Sequence, residues 1–489
     1  MEHMKTRINP QEKKSIGAGE KIISANLLWP FILLTMLFFA WAIPNNLTDT
    51  MLAAFKRIMS LSDSKTAWIQ VVCYFLGYGC CAILGALFIK KYTYKAGVMG
   101  GLGMYILGCL MFYPAMLCLQ IDVNISFFMY LFALLILFAG LSVLETSANS
   151  YVYAIGAEES ATRRLNFSQS FNPFGAITGG VISQIFILSQ LNTMTATERS
   201  SIPAEELAVI QGAELNAVTM TYVGLGIFMA FLLLAIFFTK MPNLREGGQK
   251  MDFIGTFKRL RKNKNYVWGV IAQFFYVGAQ VAVWSFIIRY VMQHLDFDSI
   301  IASQGTNASA DEIIAALRLV EPIGAGFYNV CEFLGLNQML PRTAEQAAAT
   351  YYVISLILFV IMRFACTWLM KYIRVDKLLT VLAIAAFVCC IISIYMKGAA
   401  GVYALMCVSG CMSLMFPTIY GTGIKGLGDD TKIGGAGMVM AIAGAAILTQ
   451  VQGILSDSSS IATAFWVPAA AFAFIAVYSV TICRKQQLK

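Results

Sequence analysis

The chain has 489 residues, 58% of them hydrophobic and only 12% charged, with 35 Lys and Arg against 26 Asp and Glu for a net charge of +9. A soluble domain carries roughly a quarter charged residues, so half that share cannot coat a water-facing surface of this size, and most of the exterior must be solvated by lipid. A soluble enzyme, a nucleic-acid-binding domain and a disordered scaffold are excluded.

The first 27 residues form a polar, lysine-bearing tail, and the apolar run that follows is too long for the core of a cleavable signal peptide. A transmembrane helix needs about 20 apolar residues to cross a hydrocarbon layer of about 30 Å. Apolar runs between charged boundaries place such spans at 28–52, 66–89, 96–117, 125–154, 165–190 and 217–239. Six more follow at 266–292, 347–370, 378–396, 400–424, 433–455 and 462–483. The predicted class is an all-α integral membrane protein of twelve transmembrane helices.

With both termini in the cytoplasm, the outer segments hold only Lys56, Arg57, Lys65, Arg199, Arg318, Arg342 and Lys397. Arg289 and Arg363 lie inside spans, and every other Lys and Arg falls on the inner side. That bias satisfies the positive-inside rule and accounts for the net charge with no nucleic-acid partner. The most basic inner loop, 240–265, divides the spans evenly into six-helix bundles at 28–239 and 266–483, with a second cytoplasmic tail at 484–489. A weak internal echo supports the division. Ile89-Lys90-Lys91-Tyr92-Thr93-Tyr94-Lys95 and Met370-Lys371-Tyr372-Ile373-Arg374-Val375-Asp376-Lys377 each follow the second helix of their half. Parallel halves of six helices are the plan of a major facilitator transporter, although composition alone also permits other twelve-span carriers. In the outer loop 293–346, Ser309-Ala310-Asp311-Glu312 is a capping-box pattern ahead of Ile313, Ile314 and Leu317, which predicts a short amphipathic helix covering the outer face.

Only two acidic residues fall within apolar spans, Asp49 near the end of the first and Glu145 in the fourth. A carboxylate in that position costs about 3 kcal/mol on insertion scales, which marks both as functional candidates. Burial favours the neutral form of a carboxyl group. With His3 and His294 the only histidines, these two are the natural proton acceptors. Asp49 has a plainer alternative, capping a helix end or neutralising Arg289 or Arg363. Asn46 and Asp49 are three apart and share a helical face, downstream of Pro44, which should bend the helix or free a carbonyl. Glu145 and Asn149 are four apart, with Tyr153 one turn further. In the fifth span Gln169 and Asn172 precede Gly175 and Gly179, small residues that permit close helix approach. Amides and carboxylates that alternate as donors and acceptors suit a polyhydroxylated ligand; each amide could instead be a bond between helices. In the seventh span Gln273, Tyr276, Gln280 and Trp284 form one stripe, either an aromatic and amide platform for a sugar ring or packing between helices.

Most of the 12 cysteines lie in apolar runs, where free Cys behaves as a small hydrophobe. No CxxC pair, metal-ligand spacing or cofactor motif is present, so neither a metal nor a cofactor is expected.

Several blocks resemble the L-fucose–proton symporter family of the major facilitator superfamily. They are Asn45-Asn46-Leu47-Thr48-Asp49 (its NNxxD segment), Leu144-Glu145-Thr146-Ser147-Ala148-Asn149 and Arg164-Leu165-Asn166-Phe167-Ser168-Gln169-Ser170-Phe171-Asn172. Ala272-Gln273-Phe274-Phe275-Tyr276-Val277-Gly278-Ala279-Gln280 and Phe416-Pro417-Thr418-Ile419-Tyr420 continue the likeness into the second half. The resemblance implies that Asp49 and Glu145 are the essential carboxylates, one protonated during coupling and one engaging the sugar, and that Asn46, Gln169 and Asn172 line the sugar cavity. Two features depart from it: the long outer loop, and an inner loop from Gly85 to Lys95 that lacks the Asp and both later Arg of the superfamily's GxxxDRxGRR pattern.

The expectation is a carrier, not an enzyme, that imports L-fucose or a related hexose with a proton by alternating access. Its partners would be sugar, proton and the lipid bilayer of a bacterial inner membrane, with one chain sufficient as a monomer. A glucose/galactose carrier and sodium coupling remain open alternatives. A membrane-embedded enzyme is the remote one, since no HExxH, GxSxG or Cys/His constellation occurs, and a channel would want repeated pore-lining residues that two unequal halves do not supply.

Overall fold

The computed structural model describes residues 23–59, 61, 65, 68–69, 71–187, 190, 199, 201–242, 253–295, 322–336, 344–396 and 398–483. Every regular element within them is helical, as lipid requires of a chain whose backbone N–H and C=O groups must be paired inside each segment. Ten stretches, from Ala25–Leu47 to Ile461–Ile482, are long and apolar enough to cross a membrane. Two further crossings complete twelve, arranged as two six-helix bundles. One is a π-helical stretch, Val71–Cys80, continued by a helix at Cys81–Lys91; the other is the fifth, which is broken.

In chain order the first bundle contains α1 (Leu28–Ile58), α2 (Cys81–Lys91), α3 (Tyr94–Leu110), α4 (Phe112–Leu117), α5 (Val123–Ala154), α6 (Ala161–Gln169), α7 (Asn172–Phe186) and α8 (Ala204–Phe238). A basic connecting helix, α9 (Phe253–Lys262), leads to α10 (Lys264–His294), α11 (Pro322–Phe333), α12 (Ala344–Leu369) and α13 (Val375–Tyr395). The chain ends through α14 (Ala399–Met412), α15 (Met415–Ile424), α16 (Thr431–Met440), α17 (Gly444–Ser458), α18 (Ile461–Ala464) and α19 (Trp466–Tyr478).

The spans predicted at 96–117, 165–190, 400–424, 433–455 and 462–483 are each divided between two helices. The fifth crossing breaks at Ser170–Phe171 between α6 and α7, and the tenth at Ser413–Leu414 between α14 and α15. Each break is followed within three residues by a proline, Pro173 or Pro417, which lacks an N–H and crowds the carbonyl four residues back. Pro44, by contrast, lies inside a continuous α1 that runs past residue 52 to Ile58. Helix α8 starts at Ala204, well before the predicted boundary at 217, because the polar residues there are accommodated. Glu205 and Glu206 lie in the first turn, where the helix dipole favours them. Glu214 forms a buried two-pronged pair with Arg199 (Nη1 to Oε2, 2.9 Å), and Gln211 donates to the Ile58 carbonyl at 2.7 Å.

The amphipathic helix predicted around 309–317 lies outside the described residues. The helix described in that loop is α11, whose Gly324, Ala325, Tyr328 and Cys331 face inward, with the Tyr328 hydroxyl 2.8 Å from Thr350 Oγ1 at the head of α12.

Glycines set the closest approaches. A Cβ at Gly175 or Gly179 of α7 would collide with the Phe39 or Ile43 carbonyl of α1. In the second bundle a Cβ at Gly278 of α10 or Gly444 of α17 would collide with the facing backbone in the same way. First and fifth crossings therefore touch backbone to backbone in both halves.

The echo between the halves is also structural. At the head of α3, Lys95 Nζ donates to the Phe237 and Thr239 carbonyls at the end of α8 (2.9 and 2.8 Å). At the head of α13, the Asp376 carbonyl accepts from Ser479 Oγ (2.8 Å), just past the end of α19. Third crossing is tied to sixth, and ninth to twelfth.

Candidate functional site

Glu145 sits near the middle of the 32-residue helix α5 and is only 6% exposed. Close packing of α5 on α3, where a Cβ at Gly101 or Gly140 would strike the facing backbone, fixes its position. The Tyr78 hydroxyl from the second crossing lies beside its carboxylate and accepts from Asn45 Nδ2 of α1 at 3.5 Å. One turn along α5, Asn149 sets its amide beside the same carboxylate. Its Oδ1 accepts from Gln169 Nε2 at 2.9 Å, while its Nδ2 meets no acceptor in bonding geometry. Gln169 is the last residue of α6, and Asn172, the first of α7, donates from Nδ2 to the Phe38 carbonyl at 3.3 Å. The helix break thus places Gln169 and Asn172 on either side of a local turn rather than on one continuous face.

Asn46 is half-buried in α1 against Gly179 and Gly180 of α7. Asp49 lies on α1 three residues further on, and its side chain is outside the described residues. The structure therefore brings Asn46, Glu145, Asn149, Gln169 and Asn172 to the interface of the first, fourth and fifth crossings. Asn45 and Tyr78 join them without having been singled out from the sequence. A tyrosine inside an apolar run carries no mark of its partner.

The stripe on α10 divides. Gln273 is fully buried, and among the described residues neither its Oε1 nor its Nε2 has a partner. Tyr276 is fully buried and donates to the Met412 carbonyl at 3.1 Å, beside the break in the tenth crossing. Trp284 donates from Nε1 to Ser409 Oγ at 3.1 Å and meets Phe359 edge-on at 5.2 Å. Gln280 is half-buried. The polar atoms of Tyr276 and Trp284 are thus engaged in packing α10 on α14, whereas Gln273 presents an unfilled amide. An unmade bond of this kind costs roughly 1–3 kcal/mol, so Gln273 is a position where an incoming hydroxyl would recover energy. Gln452 of α17, also fully buried with both amide atoms unpartnered, was not anticipated. No third feature on its helix distinguished it in the sequence.

Hydrogen bonds that join the halves include Ser150 Oγ to the Tyr420 hydroxyl (3.2 Å), Asn166 Nδ2 to Thr418 Oγ1 (3.4 Å) and Arg363 Nη1 to the Gln169 carbonyl (2.9 Å). Lys432 adds a cation over the Tyr94 ring at 5.0 Å. The first two bonds and the Lys432 contact lie toward the end of the bundle where the fourth crossing turns into the fifth and the tenth into the eleventh. Of the two cations within spans, Arg289 is exposed beside Phe286 and Arg363 is 3% exposed. Among the described side chains no carboxylate pairs with either. Also among the described residues, no cluster of His, Cys, Asp and Glu could hold a metal ion.

Comparison with known proteins agrees with the fold. The sequence pattern of the Major Facilitator Superfamily matches residues 28–432. The L-fucose-proton symporter of Haemophilus influenzae is 34% identical over 470 residues, covering 93% of this chain and 94% of the relative. A glucose/galactose transporter of Brucella abortus is 28% identical over 454 residues, covering 91% of this chain and 92% of the relative. Among solved structures, the Escherichia coli fucose:proton symporter FucP in the outward conformation superposes with a TM-score of 0.75 at 33% identity, over 92% of this chain and 98% of that one.

Proposed function

The chain belongs to the major facilitator superfamily, in the family of the L-fucose–proton symporters, and from that premise we propose that it imports L-fucose or a closely related deoxyhexose together with a proton. The observation that carries this reading is the buried Glu145, set beside the Tyr78 hydroxyl and followed by the amides of Asn149 and Gln169 up to the break that presents Asn172. A lone carboxylate inside a membrane costs about 3 kcal/mol on insertion scales. Such a group is sustained where a proton or a ligand hydroxyl relieves it.

In the proposed cycle Asp49 and Glu145 are the proton-coupling residues. Sugar is held by Asn46, Glu145, Asn149, Gln169 and Asn172 from the first bundle, and by Gln273, Tyr276, Gln280 and Trp284 from the second. Gln273 supplies the free amide of that second group, and the aromatic pair shapes the wall. The bundles at 28–239 and 266–483 rock about this site, and the basic segment 240–265 links them. The charge asymmetry supports a bacterial inner-membrane protein with both termini in the cytoplasm. The end closed by the Ser150–Tyr420 and Asn166–Thr418 bonds is then the cytoplasmic one. A single chain contains the whole pathway, and the monomer is the transporting unit.

Uptake of labelled L-fucose into proteoliposomes, with and without an inward proton gradient, tests the reading. The expected result is accumulation that follows the gradient and collapses with a protonophore. Accumulation of glucose or galactose in place of L-fucose would move the substrate to that of the Brucella relative. A requirement for sodium would replace the proton, and accumulation indifferent to either gradient would defeat the mechanism.

A further inference from the structure

The breaks in the fifth and tenth crossings share one chemical consequence. In a helix the carbonyl of residue i accepts from the N–H of residue i+4. The partner due to the Gln169 carbonyl is residue 173 and that due to the Ser413 carbonyl is residue 417; both are prolines, with no N–H to give. Two backbone oxygens are therefore left open, one in each half of the molecule. Both are occupied by one side chain. Arg363 of α12 donates from Nη1 to the Gln169 carbonyl at 2.9 Å and from Nε to the Ser413 carbonyl. Its guanidinium lies 4.6 Å from the centre of the Phe359 ring.

This also accounts for how a charge is tolerated there. Helix α6 ends at Gln169 and α14 ends at Met412, and a helix C-terminus carries partial negative charge. Arg363 is thus flanked by two such ends and a ring face. A planar fork can reach two carbonyls at once, which a lysine ammonium on a flexible stem does not reproduce.

We propose that Arg363 is a positioning residue that couples the two halves, bridging the carbonyls freed by Pro173 and Pro417 so that a change at the Gln169–Asn172 break is passed to the second bundle. The inference rests on the transport reading, because Gln169 contacts the Glu145 network through Asn149 and Asn172 stands three residues beyond it. Sugar or proton arriving at that network displaces the break and with it the oxygen that Arg363 holds. Rocking of the halves requires the Nη1 bond to be released, while the Nε bond stays within the second half.

The test uses the full chain in proteoliposomes, with L-fucose as the probe and two readouts, equilibrium binding and counterflow. Arg363→Lys is expected to lower the maximal counterflow rate about tenfold or more while the Kd changes by less than about threefold, as befits loss of a charge-assisted bond outside the binding contacts. Pro173→Ala and Pro417→Ala restore an N–H that competes for the same carbonyls. Each should slow counterflow by about two- to fivefold, and neither should slow it further once Arg363 is lysine. Counterflow at the wild-type rate in Arg363→Lys would overturn the proposal. So would equal losses of binding and counterflow, or proline effects that multiply in full on that background. If Arg363→Lys does not fold, the proline variants decide, and unchanged counterflow in both rejects the bridge. If the wild type exchanges no sugar, it is the transport reading that fails. The bridge is then judged by melting temperatures of the same variants, where strict additivity refutes it and non-additivity upholds it.

Discussion

The two six-helix bundles share a plan but use their buried polar atoms differently. Around Glu145 in the first, side chains bond side chains: Asn45 to Tyr78, which lies beside Glu145, Gln169 to Asn149, and Thr35 to Ser168. In the second, side-chain pairs such as Trp284–Ser409 and Thr422–Tyr478 also occur, but the buried tyrosines of α10 hold backbone and two buried amides hold nothing among the described residues. Tyr276 reaches the Met412 carbonyl, Tyr290 the Ser393 carbonyl and Tyr266 the Gly434 carbonyl, while Gln273 and Gln452 keep idle amides. A side-chain network can change its protonation and pairing without disturbing a helix. A side chain clamped to a carbonyl braces the helix instead. The first bundle is built to respond and the second to stand firm around it, with a few amides left for a ligand to complete.

The largest effect expected from this contrast is at Glu145. Glu145→Gln keeps the shape of the side chain beside Tyr78 but cannot cycle a proton. Gradient-driven accumulation should fall to simple equilibration, while counterflow of sugar continues. Each 1.4 kcal/mol of gradient no longer harnessed lowers the accumulation ratio about tenfold. Uptake and counterflow measured on the same vesicles check this, and retained accumulation in Glu145→Gln would erase the functional distinction between the halves.

The next test compares two buried glutamines. Gln169→Leu breaks the bond to Asn149 and leaves that amide unsatisfied, so it should lower stability by about 1–2 kcal/mol and weaken sugar binding as well. Gln273→Leu removes an amide that has no partner, so it should raise the melting temperature of the sugar-free protein while weakening L-fucose binding by about three- to thirtyfold. Opposite signs in stability and the same sign in affinity are the expected signature. If Gln273→Leu destabilises the empty protein, its amide has a structural partner, and the contrast between the bundles narrows.

Much of this architecture is legible in the sequence because lipid is an exacting solvent. A run of apolar residues between charges has few alternatives to a crossing helix, and Asp49 and Glu145 stand out by being charged where charge is expensive. What stayed hidden follows from what hydropathy does not measure. It sums side chains, so it passes over the missing N–H groups of Pro173 and Pro417 and reads two broken helices as continuous ones. For Arg363 the sequence suggests a carboxylate as counter-charge, whereas the partners on the page are carbonyls that only the backbone course exposes. Helix α11 was missed because Pro322–Phe333 has one inward stripe and an apolar outer face, with Val330 55% and Phe333 89% exposed, which blurs the amphipathic signal. Tyr78 could have been inferred only from knowing which helix faces Glu145.

The smallest expected effects lie far from the site, at the two ties that make the halves echo one another. They occupy matching places and differ in chemistry. Lys95 is half-exposed and holds the last carbonyls of α8 directly, a cation placed at a helix C-terminus. At the matching place in the second bundle the tie to Ser479 is made by the Asp376 backbone. The Asp376 carboxylate, 4% exposed, is held by Arg374 from the solvent side, with Arg374 itself 40% exposed. Lys95→Met should therefore cost about 0.5–1 kcal/mol at low salt and less as salt rises, because its partners are partial charges near water. Arg374→Gln leaves a buried carboxylate without its cation and should cost somewhat more, about 1–2 kcal/mol, with little dependence on salt. Neither should alter the ratio of counterflow to binding, since each tie lies within its own bundle and moves with it. Melting curves at two salt concentrations separate the pair. Equal, salt-independent losses would mean that the first tie is as buried as the second, and a change in counterflow from either would mean that the bundles do not move as rigid bodies.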